Sequence, residues 1–100
     1  MSQSQEQNQQ LQVKISDDVL KGFYANLVQV GYGSAGEEFI LDFMNVVPPS
    51  GIVGSRIIVS PQHMKRVAAV LADNIKRYEE QFGQIKISDT PSHKIGFRTE

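Results

Sequence analysis

Few residues of this 100-residue chain are of a type and spacing that could do chemistry. The two histidines are His63 and His93, and there is no cysteine. Neither histidine has a second ligand at metal spacing, such as a histidine four residues on or a thiolate nearby. His63 also falls in the first turn of the helix read below, where positive charge is disfavoured. It reads as a neutral surface side chain rather than a ligand or a base. Asp42 lies inside FILDFM. A carboxylate among core residues could be an acid of raised pKa, but the preferred reading turns it outward or pairs it with a basic residue such as Arg56. Asp17 with Asp18, and Glu37 with Glu38, are adjacent carboxylates. Neighbours in a strand point to opposite faces, so neither pair converges on one substrate atom. GYGSAG (31–36) is glycine-rich but links two strands, whereas a phosphate loop opens a helix and is followed by lysine. Ser34 has no histidine or acid within the motif to activate it. No catalytic residue, metal site or cofactor is expected.

Lys65, Arg66, Lys76 and Arg77 make two basic pairs about three turns apart on the same helix. With Tyr24 and Tyr32 they could meet phosphates and bases. Acidic neighbours nearly cancel them, and a solvated face is the preferred account. Nucleic acid is therefore kept as an alternative partner and is not favoured. The formal net charge of −1 points the same way, because no global field draws the chain to polyanions.

The absence of cysteine excludes disulfide staples and fits a reducing compartment. No apolar run approaches the roughly 18 residues that span a bilayer, so no membrane partner is expected. MSQSQEQNQQ has neither the basic nor the hydrophobic region of a signal peptide. The expected location is cytoplasmic. Residues 1–10 read as a disordered lead, 11–88 as one α+β domain, and 89–100 as a mobile tail. In that tail Ile95 and Phe97, flanked by Lys94 and Arg98, are candidate anchors for a protein partner. A domain this small buries only about 60% of its unfolded surface and is marginal alone.

Leu11, Val13 and Ile15 alternate with polar residues, the period of a half-buried strand. FYANLVQVGY (23–32) is rich in β-branched and aromatic residues. The glycines of GYGSAGE permit a hairpin loop. EFILDFMNVV (38–47) is the strongest strand and ends at Pro48 and Pro49, which cannot donate to a ladder. PPSGIVGS reads as a loop and RIIV (56–59) as a short fourth strand. Ser60 is an N-cap candidate with Pro61 at the first helical position. Met64, Ala68, Leu71, Ile75, Tyr78 and Phe82 then recur at spacings of four and three. Gly83 suits the left-handed position after the last turn. The helix is predicted over 61–82. Asp73 with Arg77 and Lys76 with Glu80 are i,i+4 pairs. The heptad-like stripe covers only about three heptads, so packing on the sheet is preferred to a coiled coil. QVKISDD (12–18) is echoed by QIKISDT (84–90). Either this is coincidence in a common strand-plus-turn pattern, or Ile85 and Ile87 form a fifth strand.

A hairpin loop centred on Ser34 and Ala35 sets Val30 opposite Phe39 and Val28 opposite Leu41. Opposed residues share a face. One face then carries Val28, Val30, Phe39, Leu41 and Phe43. The other carries Phe23, Ala25, Leu27, Ile40, Met44 and Val46, interrupted by Gln29 and Asp42. A four-stranded sheet is nearly 20 Å wide and a helix about 10–12 Å, so one helix covers part of one face. Either the sheet curls to hide the second face, or a second copy covers it. The second is preferred, with Phe23, Ala25, Leu27, Ile40, Met44 and Val46 as the candidate seam of a homodimer or higher oligomer.

YANLVQVGYGSAGEEFILDF followed by SRIIVSPQHMKRVAAVLADNIKRYEEQFG resembles the bacterial and archaeal domain-of-unknown-function family numbered 3467. The resemblance covers roughly Gln12 to Lys86. Its most specific pieces are EEFILDF, SRIIVSPQH and NIKRYEEQFG, and GYGSAG is longer than the commoner hairpin. The family has no established activity, so no catalytic or binding residue carries over. Some relatives are encoded beside RNA polymerase subunits, which implies a role near transcription.

The reading is an α+β fold: an antiparallel sheet of four strands, with a candidate fifth, followed by one amphipathic helix packed on it. The expected function is a non-catalytic, homo-oligomeric protein-interaction module, accessory to a cytoplasmic, transcription-related machine. A nucleic-acid-binding accessory is the first alternative. A small enzyme or ligand binder at the oligomer seam is the second.

Overall fold

The computed structural model describes residues 10–88 and 95–99. They fall into two compact units, divided between residues 61 and 62. The expectations for residues 1–9, for 89–94 and for Glu100 lie outside the described residues.

In the first unit a short helix α1, Asp17–Lys21, replaces the turn expected at SDD. Ser16 caps it, its side-chain oxygen accepting from the Val19 amide at 3.4 Å. Three antiparallel strands follow in the order β1-β2-β3: β1 Leu27–Tyr32, β2 Phe39–Val47 and β3 Ser50–Val59. β2 is central because it is flanked by two hairpins. The first closes on a turn in which the Gly36 amide donates to the Gly33 carbonyl at 2.9 Å, and Gly36 adopts φ 71°. A side chain at that angle would be strained, so glycine suits the position.

The expected four or five strands are corrected to three among the described residues. RIIV is not a separate strand but the second half of β3. Pro48 and Pro49 form only a two-residue turn, and SGIVGS continues directly as strand. Glycines at 51 and 54 disguise this half as a loop. Leu11, Val13 and Ile15 are exposed and belong to no strand. Alternation makes a segment compatible with a sheet, but only pairing with a neighbour makes it a strand. Residues 83–88 likewise form no strand, so the fifth-strand reading of Ile85 and Ile87 fails.

The hairpin register differs from expectation by two residues: Val30 opposes Leu41 and Val28 opposes Phe43. Because side chains alternate with period two, a shift of two leaves every residue on its predicted face. Between β2 and β3 the register breaks at Phe43/Met44, which oppose Ser55 and Val53. Gly54 is the extra, bulged residue.

The second unit holds α2, Pro61–Phe82, with the predicted bounds. It ends where Gly83, at φ 99°, donates its amide to the Glu79 carbonyl at 2.9 Å. The Asp73–Arg77 pair forms at 3.0 Å, and Tyr78 and Phe82 bring their rings to 4.9 Å. No α2 residue is buried.

Candidate functional site

Register assigns the sheet's two faces. On the first, cross-strand rows are Tyr32–Phe39–Val59, Val30–Leu41–Ile57 and Val28–Phe43–Ser55. None of these nine residues carries a charge, and Ser55 and the Tyr32 hydroxyl are the polar groups among them. Tyr32 and Phe39 meet edge to face, with centroids 5.6 Å apart. On this face only Leu41, in the central strand, is buried, at 8% exposure.

The second face is divided by a polar row, Gln29–Asp42–Arg56. Arg56 grips Asp42 with two parallel bonds, Nε to Oδ1 at 2.7 Å and Nη2 to Oδ2 at 2.9 Å. Asp42 is 4% exposed. The Arg56 hydrogen bonds and charge hold its carboxyl below the ordinary carboxylate range, against the opposing effect of burial. Arg56 is raised by the same pairing. A carboxylate held charged with both oxygens occupied is a poor acid or base, so the pairing reading of Asp42 is the one the structure supports. A bidentate pair with its carboxylate enclosed favours this register, because a slip would leave the Asp42 charge without its partner.

Of the candidate seam residues, Leu27 and Met44 are directly opposed on this second face, and Ile40 and Val46 share it by alternation. Met44 is already buried, at 3% exposure. Phe23 lies against β3, where a methyl group on Gly54 would overlap its ring. Ala25 is half-buried in the segment leading to β1. That segment is tied down by side-chain amides. Asn26 donates to the Val46 carbonyl at 2.9 Å and accepts from the Val46 amide at 2.8 Å. Asn45 donates to the Tyr24 carbonyl at 3.1 Å. Asn26 thus imitates one more residue of ladder beyond β1. Sequence reading places Val53 in a loop and misses the Phe23–Gly54 contact.

The four cations of α2 stand on the helix surface and all are exposed. An interval of 11 residues brings Lys65 under Lys76 and Arg66 under Arg77, about 16 Å along the axis. Arg77 is engaged by Asp73. Arg66 borders a shallow apolar depression with His63, Val67, Val70 and Leu71. Ile95 and Phe97 are both exposed. Among the described residues no group of three or more histidines and carboxylates is placed to hold a metal ion. No helix among them is long and apolar enough to cross a membrane.

The model of the family described as protein of unknown function DUF3467 matches residues 1–87. The chain belongs to this family. No curated protein and no solved structure matches it.

Proposed function

We propose that this member of the DUF3467 family is a non-catalytic interaction module that assembles with copies of itself. The observation that carries this reading is how little each unit buries. The sheet buries two apolar side chains, Leu41 and Met44, while one face is uncharged and the other is apolar on both sides of its polar row. The helix buries none. Ordering a residue costs about 1–2 kcal/mol of backbone entropy, which a core of two side chains does not offset.

The three-stranded sheet changes one step of the expectation. At about 14 Å wide it is nearly matched by one helix of 10–12 Å. What remains is the count of faces: the sheet has apolar residues on both, and the described residues hold one long helix. A second copy supplies the missing cover without any further protein. Met44 lies too deep to be a contact residue, so the seam draws on its exposed neighbours.

A cytoplasmic setting and an accessory role beside a transcription machine belong to the same proposal, with Ile95 and Phe97 as contact residues for that larger partner. The nucleic-acid alternative has one specific support, the two basic pairs stacked on one helix stripe. The engagement of Arg77 by Asp73 weakens it. Binding that falls steeply with salt would mark nucleic acid.

Sedimentation equilibrium at micromolar concentration tests the main reading. The expected result is a mass of at least twice the 11.2 kDa chain. A folded species of one chain mass overturns it.

A further inference from the structure

Among the described residues β1 is an edge strand whose one neighbour in the sheet is β2. Half of its backbone N–H and C=O groups therefore face away from the sheet, a template for another strand. Natural edges are guarded by charge, proline or a bulge. The opposite edge, β3, has a bulge at Gly54 and carries Arg56. β1 has none of these. Its sequence LVQVGY holds no charge and no proline, and its register with β2 is unbroken over all six residues.

The strand is also its own complement. Antiparallel pairing about a two-fold axis normal to the sheet keeps each face continuous. With that axis at Gln29, Val28 opposes Val30, Leu27 opposes Gly31, and Gln29 opposes Gln29 of the other copy. Valine then meets valine on the uncharged face. On the other face the bulky Leu27 meets the one position without a side chain. The two amides can each donate and accept, and they continue the Gln29–Asp42–Arg56 row from one copy into the next. Moving the axis to Val28 would set Leu27 opposite Gln29, and moving it to Val30 would set Gln29 opposite Gly31. Both leave the amide beside an apolar or absent side chain.

We propose that β1 pairs with β1 of a second copy about a two-fold axis at Gln29, joining two three-stranded sheets into one of six strands. The pairing rests on the self-association reading above and adds to it an edge contact, distinct from the contact that covers a face. It gives Val28 and Val30, 47% and 46% exposed in the single chain, the lateral neighbour that Leu41 already has.

The chain contains no cysteine, so an introduced thiol is its only one. Directly opposed residues bring their Cβ atoms to about 4.5–5.5 Å, close enough for a disulfide after a small adjustment. A residue two places out of register lies about 7 Å further along the strand, which is too far. The full-length variants Gln29→Cys, Val28→Cys and Val30→Cys are oxidised mildly at micromolar concentration, with circular dichroism confirming the fold. The expected result is a covalent dimer from Gln29→Cys alone. Val28→Cys and Val30→Cys are expected to link to each other when refolded together, and neither to itself. Self-linking by Val28→Cys or Val30→Cys as readily as by Gln29→Cys overturns the Gln29 axis. An oligomeric native chain whose variants, mixed or alone, give no covalent dimer overturns β1 pairing and leaves self-association standing. A monomeric native chain overturns both.

Discussion

The middle of β2 and the middle of α2 have similar apolar content and opposite burial. Leu41, Asp42 and Met44 are enclosed, whereas Leu71 in the helix is 57% exposed. A central strand has a neighbour on each side, so its side chains are hemmed in by the rows they share, and even a carboxylate can be enclosed when its counter-charge sits directly across. A helix satisfies its own backbone and gains no lateral neighbour by forming. Its apolar stripe stays open until another surface arrives. Local structure and burial are thus separate achievements, and α2 shows the first without the second.

The largest expected effect separates the two regions directly. Met44→Ala removes an enclosed side chain and should cost about 2–5 kcal/mol. Leu71→Ala, 57% exposed in the single chain, loses only what the assembly lays over the stripe and should cost less than Met44→Ala. Denaturant unfolding of both variants checks this. Equal large losses would show that the helix stripe is covered as thoroughly as the β2 core.

Within the sheet, Gly54→Ala sharpens the point that burial there depends on close approach. Its methyl group would overlap the Phe23 ring, and the forced displacement should cost about 1–3 kcal/mol. In a Phe23→Ala background the same substitution should cost less, leaving a coupling of at least about 0.5 kcal/mol. Additive losses would place the cost in the bulge itself rather than in the ring.

The Asp42–Arg56 pair has a pH signature. The folded pKa of Asp42 lies below its ordinary value of 3.8, so the unfolded chain takes up the proton first as pH falls. The stabilisation from the pair is fully present above that ordinary value and is lost as pH drops through the depressed folded value. Unfolding measured from pH 7 down to pH 2 should show this acid loss in the native chain and a flatter profile in Asp42→Asn. Identical slopes would mean the pair contributes nothing to the pH dependence. The helix pair Asp73–Arg77 is exposed at both ends, and surface pairs contribute little.

What is legible in the sequence follows the same division. The faces of the β1–β2 hairpin can be read although the expected register is off by two, because an even shift preserves facing. The ends of α2 can be read because Pro61 and Gly83 are local signals. The Asp42–Arg56 partnership is among the alternatives the sequence offers, because a charge inside FILDFM needs an answer close by. The extent of β3 is hidden, since Gly51 and Gly54 look like loop residues. Each is needed for close approach: a Cβ on Gly51 would crowd Val46, and one on Gly54 would strike Phe23. Leu11, Val13 and Ile15 mislead in the other direction, as alternation without a neighbour. The helix stripe indicates that something must cover it and is silent on what does.

Two units that bury so little alone should fold only as they assemble, and the thermal midpoint tests that coupling most directly. If the native state is an assembly of copies, the midpoint rises with protein concentration by mass action. Thermal unfolding of the full chain across a hundredfold range of concentration should show a steady increase. A midpoint independent of concentration, with a native species of 11.2 kDa, would contradict it.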